Sequence, residues 1–391
     1  MGKIKTYKLG DIVNVLDYKR IPLSSTQRQN KKGIYPYYGA QGIIDYIDDY
    51  IFDGEYLLIA EDGENLKSQK QHVAQIAKGK YWVNNHAHIV ESNGLCDIRY
   101  VCYLLNRMDL SGYITGSAQP KLNQANLLKI EIKLPSLKEQ YKIAEFLHLF
   151  DDKIEINRRI NENLEQQAQA LFKSWFVDFE PFQDGKFVDS EFGKIPEGWK
   201  VGILSDIANI TMGQSPKGTS YNEIGNGIVF YQGRADFGNR FPSIRLFTTE
   251  PSRYAEPHSV LLSVRAPVGD INIAVEKCCI GRGLASIYSK TGHQSFVLYT
   301  MFSLKKELDK FNSEGTVFGS INRSSIENLK IVIPPINVMD KFEHLVSKID
   351  DMLLNLFQET TRLAQLRDIL LPRFMSGELK ITDIVDKNLS E

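Results

Sequence analysis

The sequence predicts an α+β fold in which one unit of about 200 residues occurs twice, with pseudo-two-fold symmetry. Three observations support this prediction. An offset of 199 residues relates two stretches of the chain, the first part of each repeat has a β-rich α/β composition, and the second part has the spacing of a long helix. A chain of 391 residues has room for two or three such domains.

The internal repeat is clearest where 116–135 aligns with 315–334. It continues without a gap into the segment that follows, and it is looser earlier in each half, as expected where loops differ in length. Two copies are too few for a solenoid. The matched pairs include Gly116 and Gly315, Asn123 and Asn322, Ile132 and Ile331, Pro135 and Pro334, and Asp151 and Asp350.

The first part of each repeat, over 1–135 and about 191–334, is rich in Gly, Tyr, Phe and β-branched residues. Short apolar runs at 75–77, 81–83 and 260–264 are typical of strands. Each half is therefore expected to begin with a globular domain that contains few long helices.

A long helix is predicted to follow each globular part. Pro135 and Pro334-Pro335 suit helix entry, and Gly377 suits a helix end. Helices of about 40 residues would span about 60 Å. The alternative of an ordinary surface helix is less favoured, since few domains of this size can cover such a length.

A seam of apolar residues at alternating steps of three and four predicts that the two helices form a coiled coil. Asn157, Asn161 and Thr360 interrupt it, either to fix the register or because packing is weaker there. The apolar positions are Leu147, Phe150, Ile154, Leu164, Leu171 and Trp175 on the first helix, and Val346, Ile349, Leu353, Leu356, Leu363, Leu370 and Phe374 on the second.

The net charge of −1 conceals a pattern. Residues 1–135 carry 17 Lys+Arg and 14 Asp+Glu, and 191–334 carry 16 and 13, so each globular part is +3. The corresponding counts are 7 and 11 over 136–190 and 7 and 10 over 335–391, giving −4 and −3. A polyanion is therefore expected to meet the globular parts, whereas the acidic helices suit another partner.

Basic residues interleaved with aromatic residues are candidates for contact with nucleic acid, although a solvated charged loop would look similar. The second half has the denser cluster. The candidates are Arg28, Lys31, Lys32 and Lys121 in the first half, and Arg234, Arg240, Arg245, Arg265, Arg282 and Arg323 in the second.

Catalytic and metal-binding motifs are weak. The stretch 213–219 has the glycine spacing of a phosphate-binding loop but lacks the lysine after Gly218. His86-Ala87-His88 could present two imidazoles, but no third ligand is evident, and no metal site is predicted. Cys96, Cys102, Cys278 and Cys279 have no disulfide or CxxC spacing, and no signal-like or membrane-spanning run is present, so a reducing cytoplasm is expected.

The chain resembles a specificity subunit of a type I restriction-modification system. The resemblance covers nearly the whole chain, and its segments occur in order on the repeat. They are PYYGAQGIID at 36–45, LLIAEDG at 57–63, LPSLKEQYKIAEFLHLFDD at 134–152, FKSWFVDF at 172–179, IPEGW at 195–199, LLSVRAPVGD at 261–270 and GRGLA at 281–285.

This resemblance implies two target recognition domains joined by antiparallel spacer helices, each domain reading one half of an asymmetric bipartite site in double-stranded DNA. It implies methyltransferase (M) and restriction/translocase (R) subunits as partners, with S-adenosylmethionine, ATP and Mg on those subunits and no cofactor on this chain. The expected segments are recognition domain 1 (1–135), spacer 1 (136–177), a linker (178–195), recognition domain 2 (196–334), spacer 2 (335–376) and a tail (377–391).

The chain is thus expected to be a non-catalytic recognition subunit without membrane contact. Arg234, Arg240 and Arg245 are the preferred DNA-binding candidates, and Arg282 ranks lower because it lies in a segment that carries the resemblance. The alternatives are a subunit of a methyltransferase-only system and, from another class, a coiled-coil scaffold with two protein- or carbohydrate-binding modules.

Overall fold

The computed structural model describes residues 4–68, 71–116, 119–312 and 319–381. Gly315 of the repeat and the tail beyond 381 lie outside the described residues. The chain forms two compact units: Met1–Ile154 with Arg362–Glu391, and Glu155–Thr361. Each unit contains one β-rich part and sections of both long helices.

The first unit contains the elements of the first half of the chain. Its longest helix continues into the second unit. Its strands are β1 (Lys5–Lys8), β2 (Val13–Val15), β3 (Lys32–Gly39), β4 (Gly42–Ile47), β5 (Phe52–Ala60), β6 (Ala74–Val83), β7 (Ala87–Ser92) and β8 (Glu131–Leu134), and its helices are α1 (Ser25–Gln29), α2 (Asn65–Ser68), α3 (Ile98–Leu105), α4 (Gln124–Leu127) and α5 (Leu137–Phe176).

A six-stranded sheet in the order β2-β7-β5-β6-β3-β4 forms the body of the first unit. Neighbouring strands are antiparallel except β3 and β6, which run parallel with Tyr38 opposite Val83. Strand β5 is buried at Leu57, Ile59 and Ala60 because it lies inside the sheet and packs towards α3. This alternation of short strands and turns agrees with the β-rich composition of the segment.

The second unit has a similar set of elements divided over more sheets. Its strands are β9 (Phe187–Ser190), β10 (Gly193–Pro196), β11 (Lys200–Ile203), β12 (Ala208–Met212), β13 (Tyr221–Asn222), β14 (Ile228–Tyr231), β15 (Leu246–Thr248), β16 (Tyr254–Ala255), β17 (Val260–Ser263), β18 (Ile271–Ile273), β19 (Cys278–Ile280), β20 (Leu284–Ser289) and β21 (Lys330–Ile333), and its helices are α6 (Leu204–Ile207), α7 (Gln294–Ser303), α8 (Lys305–Lys310), α9 (Arg323–Glu327) and α10 (Ile336–Ser376).

Two sheets form the body of the second unit, one in the order β12-β20-β17-β18 and one in the order β13-β15-β14-β19-β16. As in the first unit, a single parallel pair occurs among the described strands, between β14 and β19. The core continues onto the long helices, where the Phe176 ring lies 4.9 Å from the rings of Phe296 and Phe342.

The long helices run antiparallel within each unit. In the first unit, the rings of Phe146 on α5 and Phe374 on α10 are 5.6 Å apart. In the second unit, Asn157 Nδ2 donates to Glu359 Oε2 at 2.7 Å. The helices begin after Pro135 and Pro335 as predicted, and Gly377 ends α10 with a φ of 73°.

The predicted seam faces the interior. Leu147, Val346, Leu353 and Phe374 are buried, and the other predicted apolar seam residues are half-buried. The three polar positions of the seam each bury a side-chain oxygen. Among the described residues, the Oδ1 atoms of Asn157 and Asn161 and the Oγ1 atom of Thr360 have no hydrogen-bond partner.

Two asparagines that the repeat aligns have the same structural role. Asn123 accepts a hydrogen bond from the backbone N–H of Asn126 and so caps α4, and Asn322 caps α9 through Ser325 in the same way, both at 2.9 Å. The predicted fold class, α+β with two β-rich parts and two long antiparallel helices, is confirmed. All four cysteines are free and buried, and none of the helices described is both long and apolar enough to cross a bilayer.

Candidate nucleic-acid interface

One edge of the second unit gathers three of the predicted DNA-binding arginines. The parallel pairing of β14 and β19 brings their carboxyl ends to the same edge, and the antiparallel pairing of Ser263 with Leu284 places the end of β17 beside them. Arg234, Arg265 and Arg282 follow these strands directly. We call these loops (232–236, 264–270 and 281–283) the second-unit edge.

Backbone contacts hold the second-unit edge together. The N–H of Gly281 donates to Tyr231 O at 2.8 Å, and the N–H of Val264 donates to Gly283 O at 2.9 Å. A Cβ at Gly213 would lie 2.2 Å from the carbonyl oxygen of Gly281, so only glycine permits this approach. The arginine side chains are therefore not needed to close the loops.

The three arginines differ in their surroundings. Arg265 and Arg282 are exposed and have no ion pair or side-chain hydrogen bond within the described residues. Arg234 is 55% exposed, and its Nε lies 2.7 Å from Asp270 Oδ2. Arg323, at the start of α9, is 62% exposed and pairs with Glu327 at 2.7 Å. This edge thus carries an excess of accessible positive charge.

Arg240 is not part of this surface, and its prediction as a DNA-binding residue is corrected. Its side chain is only 10% exposed and pairs with Glu165 on α5 and with Asp350 on α10, the latter at 2.5 Å. Tyr299 on α7 donates to Asp350 at 2.9 Å. Arg240 therefore anchors the β-rich part of the second unit to both long helices.

Burial raises the pKa of Asp350 more than the adjacent Arg240 guanidinium lowers it. Since Asp350 depends on this cation, loss of Arg240 would leave a buried carboxylate without charge compensation.

Arg245 is half-exposed and also bound to a carboxylate. Its Nε donates to Asp236 Oδ1 at 2.7 Å, and its Nη2 donates to the same oxygen. Asp236 in turn accepts the backbone N–H of Gln232 at 2.7 Å. Arg245 thus supports the turn that presents Arg234.

The first unit has an equivalent edge with the same backbone pattern. Asn84 N–H donates to Tyr38 O at 3.0 Å, Glu61 N–H donates to His86 O at 2.9 Å, and Leu122 N–H donates to Glu61 O at 2.8 Å. These bonds match those of Gly281 with Tyr231, Val264 with Gly283, and Ile321 with Val264. We call its loops (39–42, 61–65 and 84–86) the first-unit edge.

Different side chains occupy equivalent positions of the two edges. Gln41 stands where the second unit has Arg234, Asp62 where it has Arg265, and Asn85 where it has Arg282. The first-unit edge also carries His86, whose Nδ1 lies 2.6 Å from Asp62 Oδ2. It therefore lacks the three arginines and offers amides, an imidazole and a carboxylate.

A network of ion pairs supports the first-unit edge from inside. Arg20 pairs with Asp17 at 3.2 Å and with Glu61 at 2.8 Å, and Lys121 pairs with Glu61 at 3.2 Å. Burial alone would raise the pKa of Glu61, but the hydrogen bond from Arg20 and the nearby charges lower it. The predicted candidate Lys121 is 53% exposed and belongs to this network.

Asp17, Glu61 and His88 have ligand atoms within 4.8 Å of one another, so sequence reasoning missed possible companions of His88. Their oxygens already pair with cations, and both His88 nitrogens face oxygen atoms, at 2.5 Å from Asp17 Oδ2 and 2.7 Å from Leu122 O. The arrangement therefore favours an ion-pair network over a metal site.

The basic cluster near α1 is largely compensated by carboxylates. Lys32 is exposed and lies 2.5 Å from Asp45, and Lys31 is half-buried and lies 3.5 Å from Asp48. The hydrogen bond from Lys32 is the main reason that the pKa of Asp45 is lowered.

Arg28, also a predicted DNA-binding candidate, makes structural contacts within the first unit. It is 21% exposed, pairs with Asp45 and donates to the Leu23 carbonyl at 2.8 Å, with its guanidinium 5.3 Å from the Tyr37 ring. It holds α1 to the sheet.

The chain thus combines a duplicated β-rich unit, a pair of long helices, and two loop edges that share backbone hydrogen bonds but carry different side chains. The model for the type I restriction modification DNA specificity domain matches residues 1–166 and 196–365. The chain therefore belongs to this family.

Two relatives come from Methanocaldococcus jannaschii. One, provisionally described as the MjaX type I restriction enzyme specificity subunit, is 31% identical and aligns over 97% of this chain and 96% of its own. The MjaIX specificity subunit is 32% identical over 79% and 75%. The crystal structure of a type I S subunit from M. genitalium has the same fold, with a TM-score of 0.63, 16% identity and coverage of 95% and 96%.

Proposed function

We propose that the chain recognises an asymmetric bipartite site in double-stranded DNA, with each unit reading one half. The observation that carries this proposal is the pair of loop edges, equivalent in backbone hydrogen bonds but different in side chains at Gln41 and Arg234, Asp62 and Arg265, and Asn85 and Arg282. Equivalent scaffolds with different donors and acceptors suit two different base sequences.

We further propose that the long helices fix the gap between the half-sites and dock methyltransferase subunits and, where present, restriction subunits. Helices α5 and α10 are continuous and each contributes to both units, which supports a spacer role. The acidic charge of these segments disfavours contact with DNA and leaves their exposed faces to protein partners.

In this proposal the chain is a non-catalytic subunit that acts in the cytoplasm. S-adenosylmethionine, ATP and Mg²⁺ would be bound by the partner subunits, in keeping with the incomplete phosphate-binding motif at 213–219.

The proposal is tested by methylome sequencing of a host without its own methylation that expresses the chain with the methyltransferase of its system. A two-part asymmetric motif is expected, and cleavage of unmodified DNA only when a restriction subunit is added. No methylated motif, together with DNA binding that is insensitive to salt, would favour a scaffold for other partners.

The spacer role predicts a change in gap length. Four residues inserted in α5 after Ile154 and four in α10 after Thr361 add about one turn, or about 6 Å, to both helices. The gap should lengthen by one or two base pairs while both half-site sequences remain unchanged. Altered half-site sequences would show that the helices take part in reading bases.

A further inference from the structure

We infer that Arg234 reads a guanine in the half-site bound by the second unit, and that Asp270 is the positioning residue that orients it. This inference rests on the proposed DNA-recognition function and names a residue that would determine specificity. An arginine side chain is well suited to donate two hydrogen bonds to O6 and N7 of guanine in the major groove.

The side chain of Arg234 is fixed at one nitrogen and free at the other two. Its Nε lies 2.7 Å from Asp270 Oδ2, and neither Nη atom has a partner among the described residues. The guanidinium lines an open cleft of about 380 Å³. The planar fork that can meet a base edge is therefore both oriented and accessible.

Asp270 is itself held in place by the end of β17. Its backbone N–H donates to Ser263 Oγ at 2.9 Å, and Ser263, which is fully buried, donates its own N–H to the Asp270 carbonyl at 2.9 Å. Lys305 lies 3.5 Å from the second carboxylate oxygen. A base-reading side chain needs such support, because ordering a free arginine on binding costs conformational entropy.

The other two arginines of the second-unit edge lack this combination. Arg265 and Arg282 have no orienting carboxylate within the described chain, which suits flexible contacts to phosphate. Outside the edge, Arg245 donates through both Nε and Nη2 to one oxygen of Asp236, and the side chain of Arg240 is only 10% exposed. Within the second-unit edge, Arg234 is the arginine that combines exposure, a fixed orientation and a free fork. Arg323 is held in a similar way by Glu327 at 2.7 Å, but both residues lie on α9, outside this edge.

The experiment compares full-length wild type with R234K, D270N and the control R107K, each expressed with the methyltransferase of its system. Methylome sequencing gives the motif, and a double-stranded DNA library randomised in the motif gives the preference at every base pair. Lysine keeps the charge but cannot make the bidentate contact, so R234K separates base reading from phosphate attraction. R107K makes the same replacement at a first-unit arginine that lies outside both loop edges, is 41% exposed and pairs with Asp368 at 3.0 Å.

R234K should lose preference for guanine at one base pair of one half-site, by about 5- to 150-fold, with the other half-site and the salt dependence unchanged. D270N should weaken the preference at that same base pair, and R107K should retain it. Equal thermal unfolding of the variants and wild type would exclude a merely structural effect.

An unchanged motif in R234K, or a loss spread evenly over all base pairs, would overturn the inference and leave Arg234 as a phosphate contact. Absence of guanine from the affected half-site would do the same. In either case a two-part motif for wild type would keep the proposed function, whereas absence of any such motif would remove the function itself.

Discussion

The two loop edges show which parts of the duplicated unit are retained and which have changed. Both edges use the same backbone hydrogen bonds between the ends of their strands, such as Asn84 with Tyr38 and Gly281 with Tyr231. Their side chains differ in type and in charge. The second-unit edge carries accessible arginines, whereas the first-unit edge has amides and a histidine–carboxylate pair above a balanced ion-pair network.

The contacts that fix each β-rich part to the long helices are, by contrast, similar in the two units. In the first unit, Tyr103 and Arg367 both bind Asp151. In the second unit, Tyr299 and Arg240 both bind Asp350, which stands at the equivalent position. The tyrosine and aspartate are retained, while the arginine comes from the long helix in one unit and from a loop in the other. The two units thus share the chemistry of this anchor but not the side chains of their edges, as expected if the edges read different sequences.

The largest expected effect concerns the anchor of the second unit. Arg240→Ala should lower the free energy of unfolding of this unit by about 3–5 kcal/mol, since it leaves Asp350 buried without its cation. The pKa of Asp350 is higher in the folded state than in the unfolded chain, mainly because of burial. The folded state therefore keeps the proton of this carboxyl longer, and its stability falls as pH rises above the pKa that Asp350 has in the unfolded chain. The Arg240 charge lowers this pKa, so its removal makes the ionised carboxylate still less favourable in the folded state. The loss of stability in Arg240→Ala should therefore be greater at pH 8 than at pH 5.

Denaturant unfolding combined with amide exchange in α7 measures this effect. The control is Arg234→Ala, in which an exposed pair is lost and a change of only about 0.2–1 kcal/mol is expected. Equal destabilisation by the two substitutions would contradict the division between anchor and edge.

Most of this architecture could be predicted from the sequence, because a regular offset, proline and glycine at helix ends, and heptad spacing are local signals. The roles of individual arginines could not, as Arg240 shows. It occurs in the same basic and aromatic stretch as Arg234, yet the side chain of Arg240 is only 10% exposed and that of Arg234 is 55% exposed. That difference depends on Glu165 and Asp350, which are distant in sequence, and no local pattern contains it.

The next prediction concerns the difference in charge between the two edges. Replacing Arg265 and Arg282 together by alanine should reduce the slope of log affinity against log salt by about 2, because each phosphate contact contributes about 0.9. Asp62→Ala with Asn85→Ala in the first unit should leave the slope nearly unchanged, since no cation is removed. Titration of the full-length chain with its methylated DNA motif at several salt concentrations gives both slopes.

Equal slopes for wild type and the double arginine variant would show that these arginines do not meet phosphate. A marked drop in slope for the first-unit pair would instead show that the two edges meet the DNA backbone in the same way.

The smallest effect compares the helix sections of the two units. In the first unit the seam is closed by apolar residues such as Leu147 and Phe374, whereas in the second unit Asn161 buries an Oδ1 without a partner among the described residues. Asn161→Leu should therefore raise the free energy of unfolding by about 1 kcal/mol, because it removes an unsatisfied polar group from the interface. Denaturant midpoints give the change, with the exposed neighbour Asn163→Leu as control.

If Asn161→Leu stabilises the pair but also blurs the gap between the half-sites in the methylated motif, the asparagine fixes the register of the helices, as buried polar residues do in other coiled coils. Stabilisation with an unchanged gap would mean that the polar seam is only a region of weaker packing. A lower free energy of unfolding in Asn161→Leu would contradict both alternatives. It would mean that the Asn161 side chain makes a stabilising hydrogen bond, for which the apolar section in the first unit has no counterpart.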